Sequence, residues 1–236
     1  MRPRLRSLFA FFVVVGVTPV VSANDLDVTL RLESDWMYHG FSEFQGAPAA
    51  AFAIDWQSNA PWFIGAVIAK PLDNDDLTRP MSNTYYVGGG WSLTDRIFAT
   101  GTWQRRDFPG GRGEWDYQEF EFALDLAVGG ATRLTLRADY SDDYYSVDAD
   151  AWSVEADVLQ RLGDRFYALG GLGQIRFSNN DRIPDYQYGQ LGVGWRTPGW
   201  SLDIAWRFNS ESSATTIGVE PFTRAQWVAR VSWQIL

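Results

Sequence analysis

From Glu119 to Tyr140 the chain alternates apolar and polar residues with a period of two. Phe120, Phe122, Leu124, Leu126 and Val128 interleave with Glu119, Glu121, Ala123 and Asp125. After Gly129-Gly130, Thr132, Leu134, Leu136, Ala138 and Tyr140 interleave with Arg133, Thr135, Arg137 and Asp139. Successive side chains of a strand point to opposite faces, so this is a β-hairpin with one oily face and one charged face. The glycine pair supplies the positive φ that a tight turn needs.

The same period runs through the rest of the chain. Leu26, Val28, Leu30 and Leu32 alternate with Asp27, Thr29, Arg31 and Glu33, and Phe52, Ile54 and Trp56 with Ala51, Ala53 and Asp55. Further runs are Trp62 to Ile68, Tyr85 to Leu93, Ile97 to Arg105, Trp152 to Val158, Tyr167 to Phe177, Leu191 to Trp195, Trp200 to Phe208 and Trp227 to Ile235. Together they predict about twelve strands and no repeat unit of solenoid or propeller length. In the run from Tyr167, the pattern assigns Tyr167, Leu169, Ile175 and Phe177 to the oily face.

Connections alternate short and long. The short ones fall at 57–61, 94–95, 129–130, 162–164 and 197–199, the long ones at 39–46, 71–83, 107–114, 141–150, 178–185 and 209–221. Short periplasmic turns and longer outer loops are expected of outer-membrane barrels, with both termini on the periplasmic side. Trp56, Trp62, Trp91, Trp195, Trp200 and Trp233 lie near short turns. Trp36, Trp103, Trp115, Trp152, Trp206 and Trp227 lie near long ones. Amphipathic rings favour both headgroup zones, so two girdles are expected. A soluble β-sandwich alternates too, but has no reason to ring both ends with Trp.

Composition agrees with export. Met1-Arg2-Pro3-Arg4-Leu5-Arg6, an apolar run and Val21-Ser22-Ala23 read as a signal peptide over residues 1–23, leaving 24–236 as one transmembrane antiparallel up-and-down β-barrel. The sequence has no cysteine, so disulfide and thiolate-metal chemistry are excluded. Removing the leader's three arginines from the 20 basic residues leaves 17 against 29 acidic ones, a net charge of −12. That disfavours a nucleic-acid partner. The expected partners are outer-membrane lipid, lipopolysaccharide, the barrel assembly machinery and small solutes, and the expected address is the bacterial outer membrane.

Ser34-Asp35-Trp36-Met37-Tyr38-His39-Gly40-Phe41-Ser42, followed by Gly46-Ala47-Pro48-Ala49, resembles the mature N-terminus of the TorF-type porin family, once catalogued as Gcw_chp. Tyr140-Ser141-Asp142-Asp143-Tyr144 resembles that family's mid-chain element. His39 and Trp36 stand where the family usually has Arg and Tyr. The resemblance implies an outer-membrane β-barrel acting as a channel.

With the apolar phase outward, the other phase lines the lumen. The expected pore-lining residues are Arg31, Glu33, Asp35, Glu119, Glu121, Arg133, Arg137, Glu155, Asp157, Arg207 and Arg230. Ala49, Ala51, Ala53, Gly88, Gly90, Gly170, Gly192 and Gly194 would form a nearly bare wall opposite them, leaving room for water and solute. The expected function is passive diffusion of small polar or charged solutes through a porin-like pore, with no cofactor and no metal. One alternative is a salt-bridge network that fills the lumen of a structural or lipid-interacting barrel. Another is a lipid hydrolase built on His39, the sole histidine, with Ser34 or Ser42 and Asp35. As a plain loop residue, His39 belongs at the barrel mouth. Asp73, Asn74, Asp75 and Asp76 lack the glycine and distal glutamate of a calcium loop and read as a solvated loop.

Overall fold

The computed structural model describes residues 25–72, 81–109, 115–146, 149–179, 184–210 and 225–235. The leader and the Asp73 to Asp76 run lie outside these described residues.

Twelve antiparallel strands close into a barrel. They are β1 (Asp25–Glu33), β4 (Ala49–Gln57), β5 (Trp62–Pro71), β6 (Ser82–Ser92), β7 (Ile97–Asp107), β8 (Tyr117–Val128), β9 (Thr132–Ser141), β10 (Asp150–Arg161), β11 (Phe166–Ser178), β12 (Tyr186–Thr197), β13 (Trp200–Asn209) and β14 (Ala225–Gln234). Two short strands, β2 (Met37–Tyr38) and β3 (Phe41–Ser42), pair only with each other. Each barrel strand pairs with its neighbours in sequence. β1 closes the ring against β14, with Glu33 opposite Arg230. Closure leaves no sheet edge, which a membrane barrel requires.

The alternation sorts the side chains as expected on most strands. Leu30, Leu32, Phe52, Ile54, Phe120, Phe122, Val154 and Val193 are exposed on the outer surface, and Leu191 reaches 69 % exposure. An apolar belt of that extent around a closed barrel is stable against hydrocarbon and not against water. Trp62, Trp91, Trp200 and Trp233 are exposed near the short turns, and Trp152, Trp206 and Trp227 near the long connections. Trp56 meets Trp62 edge-on, Trp195 meets Trp200, and Trp206 meets Trp227. The chain is thus an outer-membrane β-barrel.

Four expectations need correction. On β11 the phase is inverted: Tyr167, Leu169 and Ile175 are buried inside, while Phe166 and Leu172 are exposed. Both phases of this glycine-rich strand are partly apolar, so alternation alone does not choose between them. Gly170 consequently faces outward, where a Cβ would meet Val158 and Leu191. Trp36 is buried inside the barrel, and Trp115 packs on an internal aromatic cluster, so neither joins a girdle. The wall of small residues is also not bare. A Cβ on Gly88 would lie 2.4 Å from the Phe63 ring, and one on Gly90 would lie 2.5 Å from Phe98. Aromatic side chains of adjacent strands lie over the glycines.

Candidate functional site

The lumen is organised by residues 34–48, which turn inward after β1. Ser34 ties the entry to β14: its amide donates to the Ala229 carbonyl at 2.9 Å, and its Oγ accepts from the Ala229 amide at 3.0 Å. β2 and β3 form a hairpin whose two-residue turn is His39-Gly40, with φ of +44° and +78°. Positive φ at both central positions is the geometry that matches strand twist in such turns. A side chain at Gly40 would place its Cβ 2.5 Å from that of Tyr188, so glycine is required for packing as well as for φ. The hairpin base is fixed by Ser42, whose Oγ donates to Asp35 Oδ1 at 2.5 Å and accepts from the Gly46 amide at 2.6 Å. The Gln226 amide also donates to Asp35.

One side of this segment is greasy. Trp36 and Phe44 pack with Ala49, Ala51, Ala53, Phe63 and Tyr86, and Phe44 is fully buried. The other side is polar. The Tyr38 hydroxyl donates to Glu119 Oε2 at 2.6 Å, and Gln104 Nε2 donates to both, at 2.8 and 2.9 Å. The Arg106 guanidinium lies 3.4 Å from the centre of the Tyr38 ring and donates to Glu43 Oε1 at 2.5 Å. The Tyr145 hydroxyl donates to the same oxygen at 3.1 Å.

At the tip, His39 stacks on Tyr38, and its Nδ1 lies 3.2 Å from the Tyr144 hydroxyl. The His39 carbonyl accepts from Tyr186, and the Gly40 carbonyl from Asn209. His39 is therefore inside the barrel and not at its mouth, only 7 % exposed. Burial pushes its pKa below the usual imidazole value, against the opposing pull of Glu119 and Glu155, so the ring is neutral at pH 7. The serine–histidine–aspartate arrangement is not assembled: Ser42 is engaged by Asp35 and Ser34 by Ala229, while His39 faces Tyr144, Glu119 and Asp139.

Of the expected lining residues, Asp35 is taken up in the hairpin clasp, and the others project inward from the strands in three settings. On one side, Arg230 grips Glu33 with Nε to Oε1 at 2.6 Å and Nη2 to Oε2 at 3.3 Å, while Arg31 Nη1 stands 3.7 Å from Glu33. Across the ring, β8–β10 carry Glu119, Glu121, Asp125, Asp139, Glu155 and Asp157 with Arg133 and Arg137 among them and Arg161 at the exposed end of β10. Arg137 bridges Glu155 at 3.0 Å and Asp157 at 2.8 Å, and Arg133 reaches Asp125 at 2.6 Å. Arg207 is the third setting. It has no ion pair or hydrogen bond among the described residues, and its buried Nε lacks a partner. It borders a partly open space together with Arg137, Arg230, Glu155, Tyr188 and the hairpin's Met37 and His39.

Strand alternation alone missed Tyr38, Glu43, Gln104, Arg106, Tyr144 and Tyr188. The available signal was the density of large apolar side chains just before and within the first long connection: Trp36, Met37, Tyr38, Phe41 and Phe44 within nine residues. A water-exposed loop has no use for so many.

Barrel, apolar belt and charged lumen together define the class of protein, a transmembrane β-barrel of the outer membrane. Among solved structures the chain is similar to the KdgM porin, with 6 % identity, 88 % of this chain and 97 % of that one covered, and a TM-score of 0.61. It is similar to the NanC porin with 11 % identity, 88 % and 98 % covered, and a TM-score of 0.61. It also resembles an outer-membrane channel from Pseudomonas putida F1, with 9 % identity, 92 % and 98 % covered, and a TM-score of 0.51. At these identities the likeness shows a shared fold. No family description and no curated protein matches the sequence.

Proposed function

We propose that the chain, exported by its leader and cleaved after Ala23, is a porin-like outer-membrane channel narrowed by its own inward hairpin. It passes small polar or charged solutes by passive diffusion. The observation that carries this reading is the open space beside the hairpin, which Arg207 lines with Arg137 and Arg230 without a direct ion pair of its own among the described residues. A guanidinium with no direct ion pair among the described residues, facing an open space, is a binding point for a passing anion, with enough neighbouring carboxylates to keep binding weak. The two elements that resemble the TorF-type family meet in space at His39 and Tyr144, which supports membership in it. The apolar belt suits lipid and the lipid part of lipopolysaccharide, and insertion would use the barrel assembly machinery. A purely binding and diffusive role, rather than catalysis, fits a histidine with no nucleophile beside it.

The second reading is a plugged structural barrel. It is favoured by the hairpin's interlock with both walls, above all the buried Arg106–Glu43 pair. Single-channel recording of the purified mature protein separates the two. The parent should give a small conductance that rises severalfold when residues 37–42 are replaced by a short Gly-Ser link. Silence from both proteins would leave only the plugged barrel.

A further inference from the structure

Where the hairpin tip meets the acidic wall, side chains from three separate elements converge. His39 comes from the β2–β3 turn, Glu119 from β8 and Asp139 from β9, and one ligand atom from each lies within 4.8 Å of the others. All three residues are buried. His39 Nε2 is 3.7 Å from Asp139 Oδ2, and Nδ1 is 4.0 Å from Glu119 Oε1.

The charges around this point do not balance. Glu121 sits directly opposite Asp139 in the β8–β9 register, and Glu119 is two residues from Glu121 on the same face. Like charges so placed repel, and a buried charge needs a counter-charge. The arginines within reach are engaged elsewhere, Arg137 with Glu155 and Asp157, Arg106 with Glu43. Asp139 is 2 % exposed, yet its Oδ1 has no hydrogen-bond partner among the described residues. A neutral imidazole offers a lone pair, not a positive charge.

The surrounding contacts hold the three side chains in place. Tyr144 sits on His39 Nδ1, Tyr38 and Gln104 donate to Glu119 Oε2, and Ser153 Oγ donates to Asp139 Oδ2 at 2.5 Å. Such partners fix the orientation of metal ligands.

We propose that His39, Glu119 and Asp139 bind one divalent transition-metal ion of the zinc type, latching the hairpin to the acidic wall. One nitrogen and two carboxylate oxygens form a borderline donor set that suits zinc better than calcium or magnesium. Ligands about 2.1 Å from a tetrahedral ion stand about 3.4 Å apart, so a site whose ligand atoms now lie within 4.8 Å of one another closes on it by up to about 1.4 Å. The ion supplies the two positive charges that the carboxylates lack. It also joins residues 80 and 100 positions further along the sequence to the tip of the hairpin turn.

The test uses the mature protein in detergent micelles, stripped with chelator and titrated with ZnCl₂ by calorimetry, with bound metal counted by mass spectrometry. One ion per chain and a higher melting temperature are expected. His39→Arg supplies a fixed cation but no ligand, and Asp139→Asn keeps the side-chain shape. Each should weaken binding by at least about tenfold, while gel migration before and after heating shows that the barrel is folded. Equal zinc retention by the parent and a folded His39→Arg protein overturns the proposal. So does calcium binding as tight as zinc binding.

Discussion

The two halves of the lumen solve the same problem by different means. On β4–β6 the wall is small residues overlaid by rings: Phe63 over Gly88, Phe98 of β7 over Gly90, and the hairpin's Trp36 and Phe44 over Ala49, Ala51 and Ala53. From Gln104 and Arg106 at the end of β7 through β10 it is carboxylates held by a few arginines, tyrosines and amides. The first wall fills space by shape, and its stability scales with apolar area removed from water. The second fills space by direction, since each group depends on a particular partner. Residues 34–48 are matched to both, greasy where they meet the first wall and polar where they meet the second. This contrast means that damage should spread differently on the two sides.

The largest expected effect is on the polar side. Arg106→Met leaves Glu43 buried without its cation and should cost about 3–5 kcal/mol in unfolding experiments in detergent or lipid. Adding Glu43→Leu should recover most of that loss, because removing both charges leaves no orphan. A double variant as unstable as the single one would mean that volume, not charge, dominates there. On the other wall, Gly88→Ala drives a methyl into the Phe63 ring and towards the Gly101 carbonyl, 2.6 Å away. The expected cost is about 1–3 kcal/mol, measured the same way. No charge change elsewhere should rescue it.

Arg207 and Arg137 sharpen the comparison within the polar side. Arg207→Gln removes a cation with no ion-pair partner among the described residues, so the reversal potential in a salt gradient should move toward cation selectivity with little loss of stability. Arg137→Gln should move it the same way but destabilise the barrel, because Glu155 and Asp157 both lose their counter-ion. Equal stability losses would erase the distinction between a free and a locked arginine.

How far the sequence reveals these walls depends on which rule writes them. The strands, the closure and the outward belt follow from a period of two, so runs such as Leu30 to Leu32 and Phe120 to Phe122 are legible. The inward phase is legible as chemistry: Arg31, Glu33, Glu119, Arg137 and Arg230 all point where alternation puts them. Its pairing is not, because which arginine takes which carboxylate depends on side-chain reach across strands. β11 misleads because Leu169 and Leu172 place apolar groups on both faces. The hairpin is the main surprise. A long connection is assumed to leave the barrel, and nothing periodic says that residues 34–48 fold back. What does encode it is local, the His39-Gly40 turn and the Asp35–Ser42 clasp, and these are the residues that carry the family resemblance.

The smallest expected effect tests how the hairpin tip depends on its neutral imidazole. His39 faces Glu119 on β8, Asp139 and Arg137 on β9, Glu155 on β10, Arg106 on β7, the Tyr144 hydroxyl and the Tyr188 ring. Burial lowers its pKa in the docked state, so an undocked tip takes up a proton first as the pH drops below the ordinary imidazole value, about 6.5. Docking is therefore at full strength above that pH and weakens progressively below it. With chelator present, amide exchange across Met37 to Ser42 should quicken between pH 7.5 and pH 5 beyond the intrinsic change. In His39→Gln that extra acceleration should vanish. If the parent and the variant show the same dependence, the carboxylates of the acidic wall, and not the histidine, set the acid response of the tip.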